Sequence, residues 1–219
     1  MSSTPGRENV VNFTDNLTPV RFLDSPRLKS NSEDANFSAC KVRLGEIVLL
    51  LQTNYSKWLV AQKRGTAICT SIEAIKTRAI EVKEPSSQIN SDIKVTTDTL
   101  YPNDLKLYVD RLNIILSIFE DITKSAKKSL QQLISLSKLA GTSDKIFYRT
   151  WKLVLYINFL EQLYACYEKE SSVKQFVARE LPHCMNRADL IRCTTAWDYP
   201  QYIDEWTSLK FALLKEEIK

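Results

Sequence analysis

Residues 150–181, TWKLVLYINFLEQLYACYEKESSVKQFVAREL, decide the fold. Leu153, Tyr156, Leu160, Leu163 and Tyr167 recur at steps of three and four, the period of one helix face. Val154, Leu155, Ile157, Phe159, Tyr164 and Cys166 carry apolar surface around most of the circumference. Asn158, Glu161, Gln162, Glu168, Lys169 and Ser172 leave only a narrow polar stripe. A helix this apolar must be enclosed by other helices, of its own chain or of a partner. The stretch therefore reads as a packing element, and no catalytic chemistry is visible in it.

Upstream of it the periodicity points to two longer helices. From Leu44 a heptad reading over residues 41–83 places Leu44, Leu51, Trp58, Gly65, Ile72 and Ala79 at a, and Ile47, Asn54, Ala61, Ile68, Ile75 and Val82 at d. Only Asn54 and Gly65 interrupt this seam, the pattern of a coiled coil. Asn54 is expected to set register or partner choice, and Gly65 to permit a bend near residues 63–66. A second seam starts at Pro102 or Asn103 and runs through Leu105, Tyr108, Leu112, Ile115, Phe119, Ile122, Ala126, Ser129, Leu133, Leu136 and Ala140. Gly141 stands where a left-handed capping residue belongs, and Thr142, Ser143 and Asp144 make the turn. Residues 84–99, with turn formers and no period, read as a linker, so the two helices are expected to form an antiparallel hairpin.

Beyond Glu180, Pro182 disfavours helical geometry in Leu181. Asn186 with Asp189 forms a capping box for a fourth helix that Trp197 closes. Pro200 suits the first turn of a last helix with the stripe Tyr202, Trp206, Leu209 and Leu213. The expected architecture is all-α, with a disordered tail over 1–40, a coiled-coil hairpin over 41–141 and a compact helical unit over 142–219. Two seams, each roughly 60 Å long at 1.5 Å per residue, exceed what short C-terminal helices can cover. A second coiled-coil hairpin from another chain is expected to complete them and to shield flanking Leu50, Ile114 and Ile134.

Composition narrows the chemistry. Four glycines in 219 residues fit helices and give no phosphate-cradling loop, so no cofactor is implied. The net charge of +4 is too mild to argue for nucleic acid. Lys124, Lys127, Lys128 and Lys138 read as a solvated helix face, since a nucleic-acid reader shows a denser basic face with aromatic platforms. Five cysteines without a framework read as free thiols of a reducing compartment, and the N-terminus lacks the apolar core of a leader. No apolar run is long enough to span a bilayer. No flanking pattern activates a cysteine thiol as nucleophile, and His183 is the single histidine, which rules out any triad or metal cage that requires several. With Cys166, Cys184 and Cys193 it makes four zinc ligands on paper, but no Cys-x-x-Cys element supports a metal site. Glu170 and Lys174 at i,i+4 read as a solvated pair worth a few tenths of a kcal/mol, or as the rim of an interface. Trp151, Trp197 and Trp206 are core residues or interface anchors.

The residues around the anchoring helix also resemble a known pattern. Thr150-Trp151, Tyr167-x-Lys169-Glu170, Lys174, Val177-Ala178-Arg179-Glu180-Leu181-x-His183, then Trp197 and Tyr202-Ile203-Asp204 follow one another at the spacing of the cyclin-dependent-kinase-2-interacting protein family. The match covers about a quarter of the chain and departs at Pro182 and at Pro200-Gln201, where the family has the reverse order. The resemblance implies a non-enzymatic nuclear adaptor, with cytoplasmic presence also allowed, acting in DNA replication, the DNA damage checkpoint, genome stability and the cell cycle. It implies links to cyclin-dependent kinase with its cyclin and to checkpoint proteins. It also implies a place in an AAA+ ATPase assembly, beside a second coiled-coil subunit, for replisome proteostasis and ribosome biogenesis. Partner contacts would fall on Trp151, Tyr167, Lys169, Glu170, Lys174, Arg179, Trp197 and Tyr202. In the N-terminal tail, Thr18 and Ser25 precede prolines, and Arg21 with Leu23 presents a cation and an apolar anchor suited to a cyclin groove. The rival reading is a helical nucleic-acid-binding protein recruited directly to forks or pre-ribosomes.

Overall fold

Trp58 lies where three helices meet, its ring centroid 4.3 Å from Phe119 and 4.7 Å from Tyr167, with no exposed surface of its own. A computed structural model describes residues 26–81, 101–142 and 144–219, and among them the chain is all-α. The helices are α1 (Pro26–Glu81), α2 (Asn103–Leu136), α3 (Leu153–Glu180), α4 (Arg187–Asp198) and α5 (Glu205–Glu217), with a 3₁₀ turn at Leu181–His183. Helices α1, α2 and α3 run up, down and up. Arg43 Nη2 donates to Gln132 and Asn54 Nδ2 to Ser125, while Gln175 of α3 donates to Glu120 of α2. Helices α4 and α5 lie along the side where α1 and α3 meet: Gln62 of α1 holds Trp197 of α4, and Phe211 of α5 stacks on Tyr55 of α1 and meets Phe159 of α3 edge-on.

Most of the seam residues are covered within this chain, with Ile68, Ile75, Tyr108 and Leu136 half-buried and Ala140 exposed, which corrects the expectation that the seams need a second hairpin. Leu44, Ile47, Leu51, Asn54, Trp58, Leu112, Ile115 and Phe119 are all buried. The apolar α3, 28 residues long, supplies the third wall that two seams need. Asn54 is satisfied inside the bundle by the Ser125 hydroxyl at 2.9 Å, so its register role is between α1 and α2. The flanking residues do stay open: Leu50 is 42%, Ile114 62% and Ile134 40% exposed.

Several boundaries differ from the sequence expectation. Helix α1 begins at Pro26 rather than at residue 41, and the segment after α2 folds back onto its residues 33–41. Phe147 meets Phe37 at 4.9 Å, Lys145 pairs with Asp34 at 2.8 Å and the Tyr148 hydroxyl donates to the Lys41 carbonyl. Contacts made more than a hundred residues away in sequence stabilise a stretch with no period of its own. Helix α1 continues through Gly65 without interruption, so no helix break occurs there. Helix α2 stops at Leu136; Gly141 has the expected left-handed φ of +81°, but in the turn beyond, against Glu33 of α1. The Asn186 cap on α4 is as expected, its side chain accepting from Asp189 N at 2.8 Å. Pro200 instead precedes α5, which Asp204 caps. Linker 84–99 and the tail residues Thr18, Arg21, Leu23 and Ser25 lie outside the described residues.

Candidate partner-binding site

Along α3, Glu170 and Lys174 fall one turn apart on the face turned to α4, and both are fully buried. They pair at 3.1 Å between Lys174 Nζ and Glu170 Oε1. This corrects the reading of a solvated pair: α4 and the turn after it close over that face. Lys174 Nζ also donates to the Trp197 main-chain carbonyl at 2.5 Å and lies 5.1 Å from the Trp197 ring centroid. Glu170 Oε2 accepts the Tyr202 N–H at 3.0 Å. Burial lowers the Lys174 ammonium below the usual lysine range, with the Glu170 carboxylate pulling the other way. The pair thus survives burial because each partner is also bonded to main chain.

Trp197 is gripped from the other side too. Gln62 Nε2 donates to the same Trp197 carbonyl at 2.6 Å, and Trp197 Nε1 donates to the Gln62 carbonyl at 3.4 Å. Tyr167 is fully buried beside Trp58. Of the sequence-derived partner contacts, Tyr167 is therefore core, and Glu170, Lys174 and Trp197 form an internal clasp that holds residues 197–202 against α1 and α3. They cannot touch a partner in this arrangement. Lys169, Arg179 and Tyr202 remain exposed, with Lys169 Nζ 5.5 Å from the Tyr202 ring centroid. Trp151 is half-buried, edge-on to Tyr156 at 5.1 Å.

The clasp positions the stripe read for the last helix, and that stripe lies outward. Tyr202, Trp206, Leu209 and Leu213 form the exposed side of α5 and its lead-in, Trp206 being 68% exposed. The buried side of α5 is Thr207, Phe211, Leu214 and Glu217. With Tyr199, 73% exposed, the segment 199–206 presents three large aromatic rings to solvent, Tyr202 among them beside Lys169. The Glu170 bond to Tyr202 N and the Asp204 cap, which accepts from Thr207 N at 3.1 Å, fix the main chain beneath them.

Two residues hold this arrangement in ways the sequence reading does not assign: Gly65 reads there as a bend, and Glu217 is not singled out. Gly65 lets the Trp197 indole reach the α1 backbone, and the lone glycine in an apolar seam was a usable signal. Glu217 had none. Its carboxylate accepts from the main-chain N–H of Arg149 at 3.0 Å, Thr150 at 2.7 Å and Trp151 at 2.8 Å, and from the Thr150 hydroxyl at 2.7 Å. Desolvation works against its ionisation, yet the hydrogen bonds from Thr150, Trp151 and Arg149 prevail and hold the carboxyl below its ordinary value.

The residues weighed for zinc do not converge. His183 Nδ1 lies 3.2 Å from the Tyr101 hydroxyl, and Cys184 contacts Cys193. Among the described residues no group of three or more His, Cys, Asp and Glu side chains is placed to hold a metal ion. No helix among them is long and apolar enough to cross a membrane. No protein-family model matches the chain, and a search of curated proteins finds no match.

Proposed function

We propose that this chain is a non-enzymatic nuclear adaptor of the kind that the cyclin-dependent-kinase-2-interacting protein family provides. It links replication and checkpoint kinases to an AAA+ ATPase assembly engaged in replisome proteostasis and ribosome maturation. The ATP chemistry resides in the partner. The observation that carries an adaptor role is the aromatic ridge Tyr199, Tyr202 and Trp206, continued by Leu209 and Leu213. Exposed apolar surface of this kind, rimmed by Lys169 and Asp204, is what protein–protein interfaces use, and Trp and Tyr dominate their hot spots. Because the seams of α1 and α2 are internal, a second helical subunit engages the outside of the bundle rather than completing its core.

The test is affinity purification of the full chain from nuclear extract, with identification of captured proteins, for wild type and a Tyr199→Ser/Trp206→Ser variant. Wild type is expected to capture an AAA+ ATPase, and the variant to lose it while keeping the wild-type melting temperature. A wild-type chain that captures no ATPase or kinase, and instead binds DNA or RNA with a steep salt dependence, overturns the reading.

A further inference from the structure

Between the end of α3 and α4, two thiols face each other. Cys184 follows the 3₁₀ turn with extended backbone (φ −56°, ψ 132°), and Cys193 lies midway along α4. Their sulfurs are 3.9 Å apart, a contact rather than a bond. A disulfide bond is about 2.05 Å long, so the sulfurs need to approach by roughly 1.9 Å. Cys184 heads a short connection to α4, and α4 needs no large movement for the two to meet. Both line one cleft of about 550 Å³, whose rim includes the exposed Phe176 and Met185. A small solute therefore has a route to side chains that are otherwise 7% exposed.

We propose that Cys184 and Cys193 are a redox-active dithiol that closes to an intramolecular disulfide when a small peroxide enters this cleft. One thiol, as thiolate, attacks a peroxide oxygen; the O–O bond breaks, a sulfenic acid forms and the departing hydroxide takes up the released proton as water. The second sulfur attacks the sulfenic sulfur, the S–O bond breaks and a second water leaves. Two thiols and one hydrogen peroxide thus give one disulfide and two waters. Cys193 is the better first nucleophile, because the Cys184 S–H can donate to it and Arg192 favours its thiolate, against burial and the Asp189 and Glu180 carboxylates. Burial pushes both thiols up, Cys184 to about 12, so the reaction is slow at neutral pH and faster in mild alkali. Cys193 is one turn ahead of Trp197 on α4, so the bond ties the clasp directly to the end of α3.

The experiment exposes the full chain to hydrogen peroxide at pH 8.5, unfolds it, and alkylates it with N-ethylmaleimide for intact-mass and peptide analysis. Of the five cysteines, three are expected to alkylate, with one linked peptide joining Cys184 to Cys193 and reversal by dithiothreitol. Cys184→Ser and Cys193→Ser are each expected to abolish that linked peptide while keeping wild-type helicity. Five alkylated thiols in the treated wild-type chain overturn the proposal. So does a bridge from Cys193 to Cys69, or oxidation that ends only in sulfinic acids or dimers linked between chains.

Discussion

The Trp197 indole occupies the space of the side chain that Gly65 lacks: a Cβ at residue 65 would lie 2.2 Å from Trp197 Cζ2. That relationship fixes α4 against α1 and sets the sign of a substitution that helix propensity alone would get wrong. Gly65→Ala gains about 1 kcal/mol of propensity. The clash with a fully buried ring, also held by Gln62 and Lys174, outweighs it, since overpacking costs about 1–3 kcal/mol and little here can yield. The variant is expected to melt lower than wild type. In a double-mutant cycle with Trp197→Leu the two losses are expected to be less than additive. A higher melting temperature for Gly65→Ala would show that the ring is not wedged there.

Lys174→Met is expected to cost about 3–5 kcal/mol, because it leaves the buried Glu170 carboxylate without its counter-charge. A Glu170→Leu/Lys174→Met double variant removes both charges and is expected to recover a large part of that loss. Urea unfolding of the two variants checks this. Equal stability of the single variant and wild type would mean the pair is open to water.

Tyr167→Phe is expected to leave stability unchanged or raise it by up to about 1 kcal/mol. The Tyr167 hydroxyl is buried without a hydrogen-bond partner among the described residues, and an unpaired buried polar group costs free energy that its removal returns. Burial also raises its ionisation well above the usual tyrosine range, so absorbance titrations of the folded wild-type and Tyr167→Phe chains should coincide through the range in which the exposed tyrosines ionise. A drop of several degrees in melting temperature would contradict the unpaired hydroxyl.

Glu217→Gln is expected to cost about 2 kcal/mol at pH 7, since a charged acceptor of four hydrogen bonds becomes a neutral one. The folded-state carboxyl titrates below its ordinary value of 4.5, so between the two values the unfolded chain binds more protons. This contribution is therefore complete above about pH 4.5 and lost as pH falls through the folded value. The gap in melting temperature between wild type and variant should be widest near pH 7 and shrink under acid. A gap independent of pH would point to a packing effect instead.

By itself the sequence determined the all-α class, the seams of α1 and α2, the apolar character of α3 and the capped start of α4. Each is written locally, in a period of three and four residues or in an Asn186–Asp189 cap. Only the tertiary structure decided which side of each helix faces inward where the local pattern is ambiguous. Helix α5 carries apolar residues on two sides. Phe211 and Leu214 win the inner one because Tyr55, Phe159 and the 149–151 amides offer partners there, leaving Trp206 outside. Glu170 and Lys174 read as surface charges until α4 closes over them. Residues 33–41 of α1 likewise rest on Phe147 and Tyr148, over a hundred residues away. Local periodicity specifies a helix through its nearest neighbours, whereas burial depends on what the rest of the chain brings to each face.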